Sequence, residues 1–391
     1  MKALILDAEN HTASVQEVPK PQPGPGEAVI RVEAIGLNPI DALYTFHPLG
    51  ATGRTVGSDF AGVVVDVAPD VASLQPGQRV AGFLQGACSA NDRPGAFAEF
   101  VVSPADLVWR VPDTMALTHA SAISLCALTA AQALFYRLGL PAPFDFPSQN
   151  TPAHPRDSTE TTVFIYGAST SVGLYAAQLV RQSSKATGSR VRLVGAASTA
   201  RFALLRAAPY VYDALVDYRD PAWPAQVRAL SGAEGDGVDY ALDCISEGTT
   251  VQAVCGTLKA GGGRVAVVRS RAARAWTVDG DGELPTEPIY GAVWEGLGVD
   301  VQYNHGIVVP ASEEARKFAS AFYRWLESGG EVKVLASPVR LMPGGLGRVV
   351  QDGFTVLGAV GVGERKRAER TEAWMAPVSA EKLVYEIAVG E

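Results

Sequence analysis

The sequence predicts an α/β protein, with a β-rich domain followed by a doubly wound parallel sheet. Three observations carry that prediction. An apolar run at 163–166 passes through a turn of small residues straight into a helix pattern marked by Val172, Leu174, Tyr175, Ala176, Leu179 and Val180. Beyond residue 162, strand-like and helix-like segments alternate, the pattern of helices covering a parallel sheet. Before about residue 120, short apolar runs alternate instead with turn clusters.

Composition sets the bounds. A chain of 391 residues exceeds one typical core, so two domains are expected. With 47% hydrophobic and 19% charged residues it can bury those cores. The net charge of −8 comes from mixed acids and bases, which excludes a nucleic-acid stripe or a polybasic membrane anchor. The basic run at 365–370 contains an acid and reads as a solvated loop. Residues 1–6 lead directly into polar residues, unlike a secretory signal. The longest apolar stretch, 121–136, is short for a membrane span and reads as a buried helix. The four cysteines and five histidines are scattered, without C-x-x-C or H-x-x-x-H spacing. A reduced, cytoplasmic, metal-free protein is expected.

In order, 28–32, 60–67, 79–83 and 98–102 read as strands, and 120–138 as a helix. The Pro-rich stretch 141–162 reads as a long loop. Strands at 163–166, 190–196, 214–216, 238–243 and 264–268 then alternate with helices at 172–182, 199–207, 222–230 and 249–258. Residues 272–287, rich in Gly, Pro and acids, form an irregular excursion at the sheet edge. A helix at 312–327, a strand near 335–341, a helix at 346–357, a flexible insertion at 358–370 and a final strand at 382–388 complete the chain.

The strand–turn–helix at 163–180 is the most informative segment. Such a turn aims free backbone N–H groups and the positive end of the helix dipole at one spot, which favours phosphate. Gly167 permits the tight turn and Gly173 lets the helix lie close to the sheet. Ser169, Thr170 and Ser171 replace the middle glycine of the usual dinucleotide fingerprint, and an ordinary βα turn is the plainer alternative. The next strand ends at Ala196, where an NAD site would carry an acid; none occurs between Gly173 and Asp213. Ser198 and Arg201 at that tip suit a 2′-phosphate, so NADPH is expected over NADH. An N-cap role for Ser198 and a solvated Arg201 are compatible with this. No G-x-S-x-G elbow, Tyr-x-x-x-Lys pair or P-loop occurs. A nicotinamide reductase without metal is the leading reading.

Asn38-Pro-Ile-Asp41, Gly57-Ser-Asp-Phe-Ala-Gly-Val-Val64, Gln75-Pro-Gly-Gln-Arg-Val80 and the Gly167–Gly173 turn stand in the order found in the medium-chain dehydrogenase/reductase superfamily, which the chain resembles over nearly its whole length. The resemblance implies a GroES-like domain over 1–124 and 306–391, around a Rossmann NADP-binding domain over 125–305. Gly57-Ser-Asp59 stands where the zinc branch has Gly-His-Glu, so no catalytic zinc is implied. Tyr166-Gly-Ala-Ser-Thr170, Asp217-Tyr-Arg219, Tyr240-Ala-Leu-Asp-Cys-Ile245, Pro343-Gly-Gly345 and Ser379-Ala-Glu-Lys-Leu-Val384 most resemble fungal trans-acting enoyl reductases of polyketide synthesis, of the lovastatin type.

Carried over by position, the resemblance places Asp41, Leu43 and Thr129 at the cofactor, with Thr129 against its nicotinamide end. Ser169, Thr170, Ser171 and Val172 would cradle the pyrophosphate. Ser198, Arg201 and Tyr218 would hold the 2′-phosphate and adenine. Val268, Gly291, Val378 and Ser379 would border the nicotinamide and substrate. Plain packing remains the alternative for Thr129, Tyr218, Val268 and Val378. The family carries Lys where this chain has Leu43, which leaves Tyr44 and His47 as the nearest proton donors; Tyr44 and Thr129 are the catalytic candidates. The implied reaction is hydride transfer from NADPH to an α,β-unsaturated polyketide thioester, presented by a synthase or its acyl carrier domain. A quinone or small-enone reductase, and a non-redox cyclase or isomerase, stay open. The charged excursion after Val268 would obstruct edge pairing, so a monomer is expected.

Overall fold

The computed structural model describes residues 1–146, 160–231, 235–279, 283–303, 307–358, 361 and 370–387. Much of the expected loop over 141–162, most of the insertion over 358–370, and His154 and His305 lie outside the described residues. The chain divides into two compact units, Met1–Leu125 with Trp294–Glu391, and Cys126–Val293.

The first unit opens with an antiparallel hairpin of β1 (Lys2–Asp7) and β2 (Thr12–Glu17), which the sequence reading did not resolve. Its main sheet is begun by β3 (Glu27–Gly36), β4 (Asp59–Val67), β5 (Arg79–Phe83), β6 (Phe100–Pro104) and β7 (Val108–Arg110), with helix α1 (Pro39–Phe46) between β3 and β4. The helix expected over 120–138 is broken into α2 (Leu117–Ala120), α3 (Ser124–Ala131) and a π-helical turn, Gln132–Arg137. Ser124 is pinned where α3 starts: Trp109 Nε1 donates to its Oγ at 3.0 Å and the Tyr323 hydroxyl to its carbonyl at 3.1 Å. The run Leu117–Arg137 is apolar and long enough to cross a membrane, but most of it is buried in the protein, as a core helix is.

The second unit follows the expected alternation: β8 (Thr161–Tyr166), α4 (Ser171–Thr187), β9 (Val191–Ala197), α5 (Phe202–Arg206), β10 (Ala214–Asp217), α6 (Trp223–Ala229), β11 (Tyr240–Asp243), α7 (Thr250–Cys255) and β12 (Arg264–Val267). A sixth strand, β13 (Ile289–Tyr290), pairs with β12 after the excursion. Two residues leave no period for the sequence to display. The sheet order is β10-β9-β8-β11-β12-β13, and every pair is parallel. Strands covered on both faces need continuous apolar runs, and Val163, Phe164 and Ile165 of β8 are fully buried. On one face Phe164 stacks on Trp223 at 5.7 Å, within a core that includes Val194, Ala241, Val251 and Val265. The direction of strand addition reverses between β8 and β11, the place where open α/β sheets bind ligands.

The chain then returns to the first unit through β14 (Val301–Gln302), β15 (Val308–Val309), α8 (Glu313–Leu326), β16 (Val339–Met342) and β17 (Lys382–Glu386). Helix α8 is capped by Ser312, whose Oγ accepts from Ala315 N, and it carries Glu313 and Glu314 in its first turn, favourable for the dipole. Strand β17 inserts between β16 and β3, giving the order β16-β17-β3-β4-β5-β7, with β6 on β3. The strand expected near 335–341 begins only at Val339, and Leu335 is exposed. The helix expected at 346–357 is a succession of 3₁₀, π and α turns. Residues 294–303, expected in the Rossmann domain, fall in the first unit. Trp294 packs on Phe83 at 5.8 Å, and the Gln302 side chain accepts from Ser89 N at 2.9 Å and donates to Leu49 O at 3.0 Å.

Candidate functional site

In the second unit, the turn between β8 and α4 is built as the sequence suggested. Gly167 has φ +73°, and a Cβ at Gly173 would stand 2.5 Å from the Gly167 carbonyl oxygen, so only glycine allows this approach of helix to turn. Thr170 caps α4: its Oγ1 accepts from Gly173 N at 3.1 Å, and its carbonyl from Leu174 N at 2.8 Å. The N–H groups of Ser171 and Val172 have no acceptor among the described residues. Two orphan donors and two small hydroxyls, Ser169 and Ser171, at the start of a 17-residue helix are the donor set a pyrophosphate needs.

The tips of β9 and β10 lie beside this turn. The register pairs Tyr166 with Ala196, and Asp217 with Ala197, so Ser198 and Tyr218 leave adjacent strand ends. Ser198 makes no side-chain cap, and Arg201 is half-buried in the turn that follows. Tyr218 is 42% exposed, set edge-on to Tyr166 at 6.5 Å, with the Arg219 guanidinium 5.0 Å from its ring centre. An exposed ring braced in this way offers a face for an adenine. Asp217 is engaged by Arg219, through its N–H at 3.1 Å and its guanidinium at 3.9 Å. The structure thus gathers Ser169–Val172, Ser198, Arg201 and Tyr218 at the carboxyl ends of three adjacent strands, β8, β9 and β10. Arg219, quoted in the sequence motif but given no role, belongs with them.

Behind the turn sits Asp243, at the end of β11 opposite Tyr166 in register. Its fully buried carboxylate accepts from Ile245 N at 2.8 Å, Ser246 N at 2.7 Å and Thr250 Oγ1 at 2.8 Å. Burial pushes its pKa up to about 6 against those hydrogen bonds. Ser246 passes the order on: its hydroxyl donates to Asp243 O and accepts from Val268 N at 3.0 Å. Val268 is therefore held by Ser246, which the Asp243 carboxylate fixes in turn at the end of the neighbouring strand. Gly291 follows β13 in close packing, since a Cβ there would stand 2.3 Å from Arg137 Nε. Thr129 lies half-buried in α3.

In the first unit, the candidates of α1 border a buried polar cluster that sequence reasoning missed. Asp41 Oδ2 accepts from Asn38 N at 2.7 Å and its Oδ1 from the Ser58 hydroxyl. The carboxylate expected at the cofactor is thus committed to capping its own helix and to Ser58. Burial pushes its pKa up to about 7, with the Ser58 and Asn38 hydrogen bonds acting the other way. Asp59 accepts from Leu125 N at 2.8 Å, Asn38 Nδ2 at 2.9 Å and Lys382 Nζ at 2.9 Å; Lys382 also donates to Asn38 Oδ1 at 2.6 Å. Leu43 is half-buried, Tyr44 is 6% exposed, and His47 is exposed. Val378 is half-buried and Ser379 exposed, just before β17. Among the described residues no group of three or more His, Cys, Asp or Glu could hold a metal ion.

Fold and turn define a dehydrogenase/reductase of the medium-chain type, and the comparisons agree. Residues 24–113 match the alcohol dehydrogenase GroES-like domain. An alcohol dehydrogenase superfamily protein from Novosphingobium aromaticivorans shares the fold with a TM-score of 0.69 at 21% identity, over 99% of this chain and 100% of that one. The CurK enoyl reductase does so with a TM-score of 0.65 at 16% identity, over 99% of both chains. In sequence, the chain is 30% identical to the trans-enoyl reductase traG of Penicillium crustosum, over 98% of this chain and 96% of that one. It is 30% identical to the trans-enoyl reductase caaB of Aspergillus niger, over 88% and 90%. The chain belongs to the trans-enoyl reductase family of the medium-chain dehydrogenase/reductase superfamily.

Proposed function

We propose that the protein is an NADPH-dependent, trans-acting enoyl reductase that reduces the C=C bond of an α,β-unsaturated polyketide thioester, working with a polyketide synthase or its acyl carrier domain. The observation that carries this reading is the glycine-tight, threonine-capped turn at the reversal point of the sheet, with its two orphan N–H groups. Family membership supports the C=C substrate class. The preference for NADPH rests on the tip of β9, which ends without an acid at Ala197 and continues into Ser198 and Arg201. A 2′-phosphate would take the Arg201 fork as a charge-assisted acceptor.

When bound, the reduced nicotinamide supplies a hydride to the β-carbon. The chain's own residues do the rest in this reading. Ser169, Ser171 and the N–H groups of Ser171 and Val172 hold the pyrophosphate. Tyr218 and Arg219 hold the adenine end, while Asp243 and Ser246 keep Val268 in place. Tyr44 or solvent returns a proton to the α-carbon, and Thr129 contacts the nicotinamide end.

The test follows the absorbance of NADPH when a trans-enoyl N-acetylcysteamine thioester is added, together with calorimetry of NADPH and NADH. The reading expects cofactor consumption and tighter binding of NADPH. Product formed without NADPH loss would make the protein a cyclase or isomerase. Turnover confined to free quinones would make it a quinone reductase. Equal affinity for the two coenzymes would remove the role of Arg201.

A further inference from the structure

The segment that carries Val378 and Ser379 has almost no regular structure of its own. It comprises a three-residue 3₁₀ turn, Ala373–Met375, an extended stretch, and Ala380 in the left-handed region at φ +58°. A short irregular segment with a strained residue needs an external template to keep one shape. That template is one side chain and its carboxylate partner. Arg340, on the neighbouring strand β16, donates through Nη1 to Trp374 O at 3.1 Å and to Ala376 O, and through Nη2 to Pro377 O at 3.2 Å. Its Nη2 also pairs with Glu381, and the same Glu381 oxygen accepts from Ser379 N at 3.5 Å. The Arg340 side chain is only 14% exposed and that of Glu381 24%, so this is no solvated surface pair.

We infer that Arg340 is a positioning residue: its guanidinium, with Glu381, sets the backbone path of 374–379 and thereby presents Val378 and Ser379 to the substrate. This rests on the enoyl reductase reading above and on the family resemblance, by which those two residues border the nicotinamide and the substrate. The chemistry explains why arginine is required. Three carbonyls and one carboxylate converge on one planar group with a fixed fork of donors. A lysine ammonium keeps the charge but cannot span acceptors spread from 374 to 381. The carbonyls of Ala376 and Pro377 lie immediately before Val378, so any slack in the fork moves that side chain first.

The experiment compares wild type, Arg340→Lys and Glu381→Gln by steady-state kinetics with the trans-enoyl N-acetylcysteamine thioester. NADPH affinity and amide hydrogen exchange of the segment are measured alongside. Arg340→Lys should raise the thioester KM about tenfold while kcat stays within about threefold, the split expected when ground-state positioning rather than chemistry is lost. NADPH affinity should fall by less than the thioester KM rises, since most of the cofactor's contacts lie elsewhere, and exchange at 374–381 should quicken about tenfold or more. Glu381→Gln should move KM and exchange the same way by less. A KM and an exchange rate unchanged in Arg340→Lys would overturn the inference. So would faster exchange with an unaltered KM, which would reduce Arg340 to a structural role. If wild type fails to reduce the thioester, the functional reading falls, while exchange in the two variants still decides whether Arg340 holds the segment.

Discussion

Lys382→Met tests the buried cluster of the first unit most directly. Lys382 and Asp59 are 3% and 0% exposed in their side chains, and their charges meet at 2.9 Å. Removing one member of a buried pair commonly costs about 3–5 kcal/mol, because the other charge stays buried without a counterion. Here the Asp59 carboxylate would keep two neutral donors, Leu125 N at 2.8 Å and Asn38 Nδ2 at 2.9 Å. Those donors place the expected loss at the lower end, about 3 kcal/mol. Methionine fills a similar volume, so little of that loss comes from a cavity. The double variant Lys382→Met/Asp59→Asn removes both charges and should regain at least about half of the loss, since a neutral buried pair carries no uncompensated charge. Urea unfolding of wild type, both single variants and the double variant gives the cycle, provided m is unchanged among them. A Lys382→Met protein within about 1 kcal/mol of wild type, or a double variant no better than the single, would refute the argument that a compensated charge pair organises this core.

Three further outcomes are expected. Gly173→Ala forces a Cβ against the Gly167 carbonyl oxygen at 2.5 Å, backbone against backbone, and should cost about 1–3 kcal/mol and weaken dinucleotide binding; a thermal melt and calorimetry check both. Asp41 is raised from 3.8 to about 7 by burial, so the native state retains a proton that the unfolded chain releases. Its contribution is full below pH 4 and is lost as pH rises toward 7, at up to about 1.4 kcal/mol per pH unit; Asp41→Asn should flatten that slope in urea titrations, and an unchanged slope would acquit Asp41. Arg201→Ala should lower the ratio of NADPH to NADH affinity about tenfold or more, with NADH binding itself little changed by calorimetry.

Legibility in the sequence tracked the range of the interactions. The turn at 167–173 announced itself because its glycines, its capping threonine and the following helix lie within a dozen residues and act locally. The parallel sheet was legible for the same reason, as apolar runs covered on both faces alternate with amphipathic helices. Strand β13 escaped because two residues show no period, and β2 because its outward face is polar throughout. The pieces of the 117–137 helix escaped since a segment buried on nearly every side has no stripe to mark where its geometry changes. The buried cluster was invisible for a different reason: Lys382 lies 344 residues from Asn38, and no window along the chain contains both. Asp59 reads locally only as part of the Gly57–Val64 motif, and only the fold supplies its cation. Arg340 was silent likewise, since three of its four acceptors are backbone carbonyls, which carry no sequence signature, and the fourth, Glu381, lies 41 residues away.

The placement of β17 between β16 and β3 has a consequence for biosynthesis. The second unit is a continuous stretch and can complete its sheet as soon as it leaves the ribosome. The first unit cannot: the place between β16 and β3 stays vacant until residues 382–386 emerge, with the Asp59 carboxylate meanwhile awaiting its ammonium. The nascent protein therefore carries the open edge of β3 from residue 36 until residues 382–386 emerge, an interval that spans the synthesis of the whole second unit.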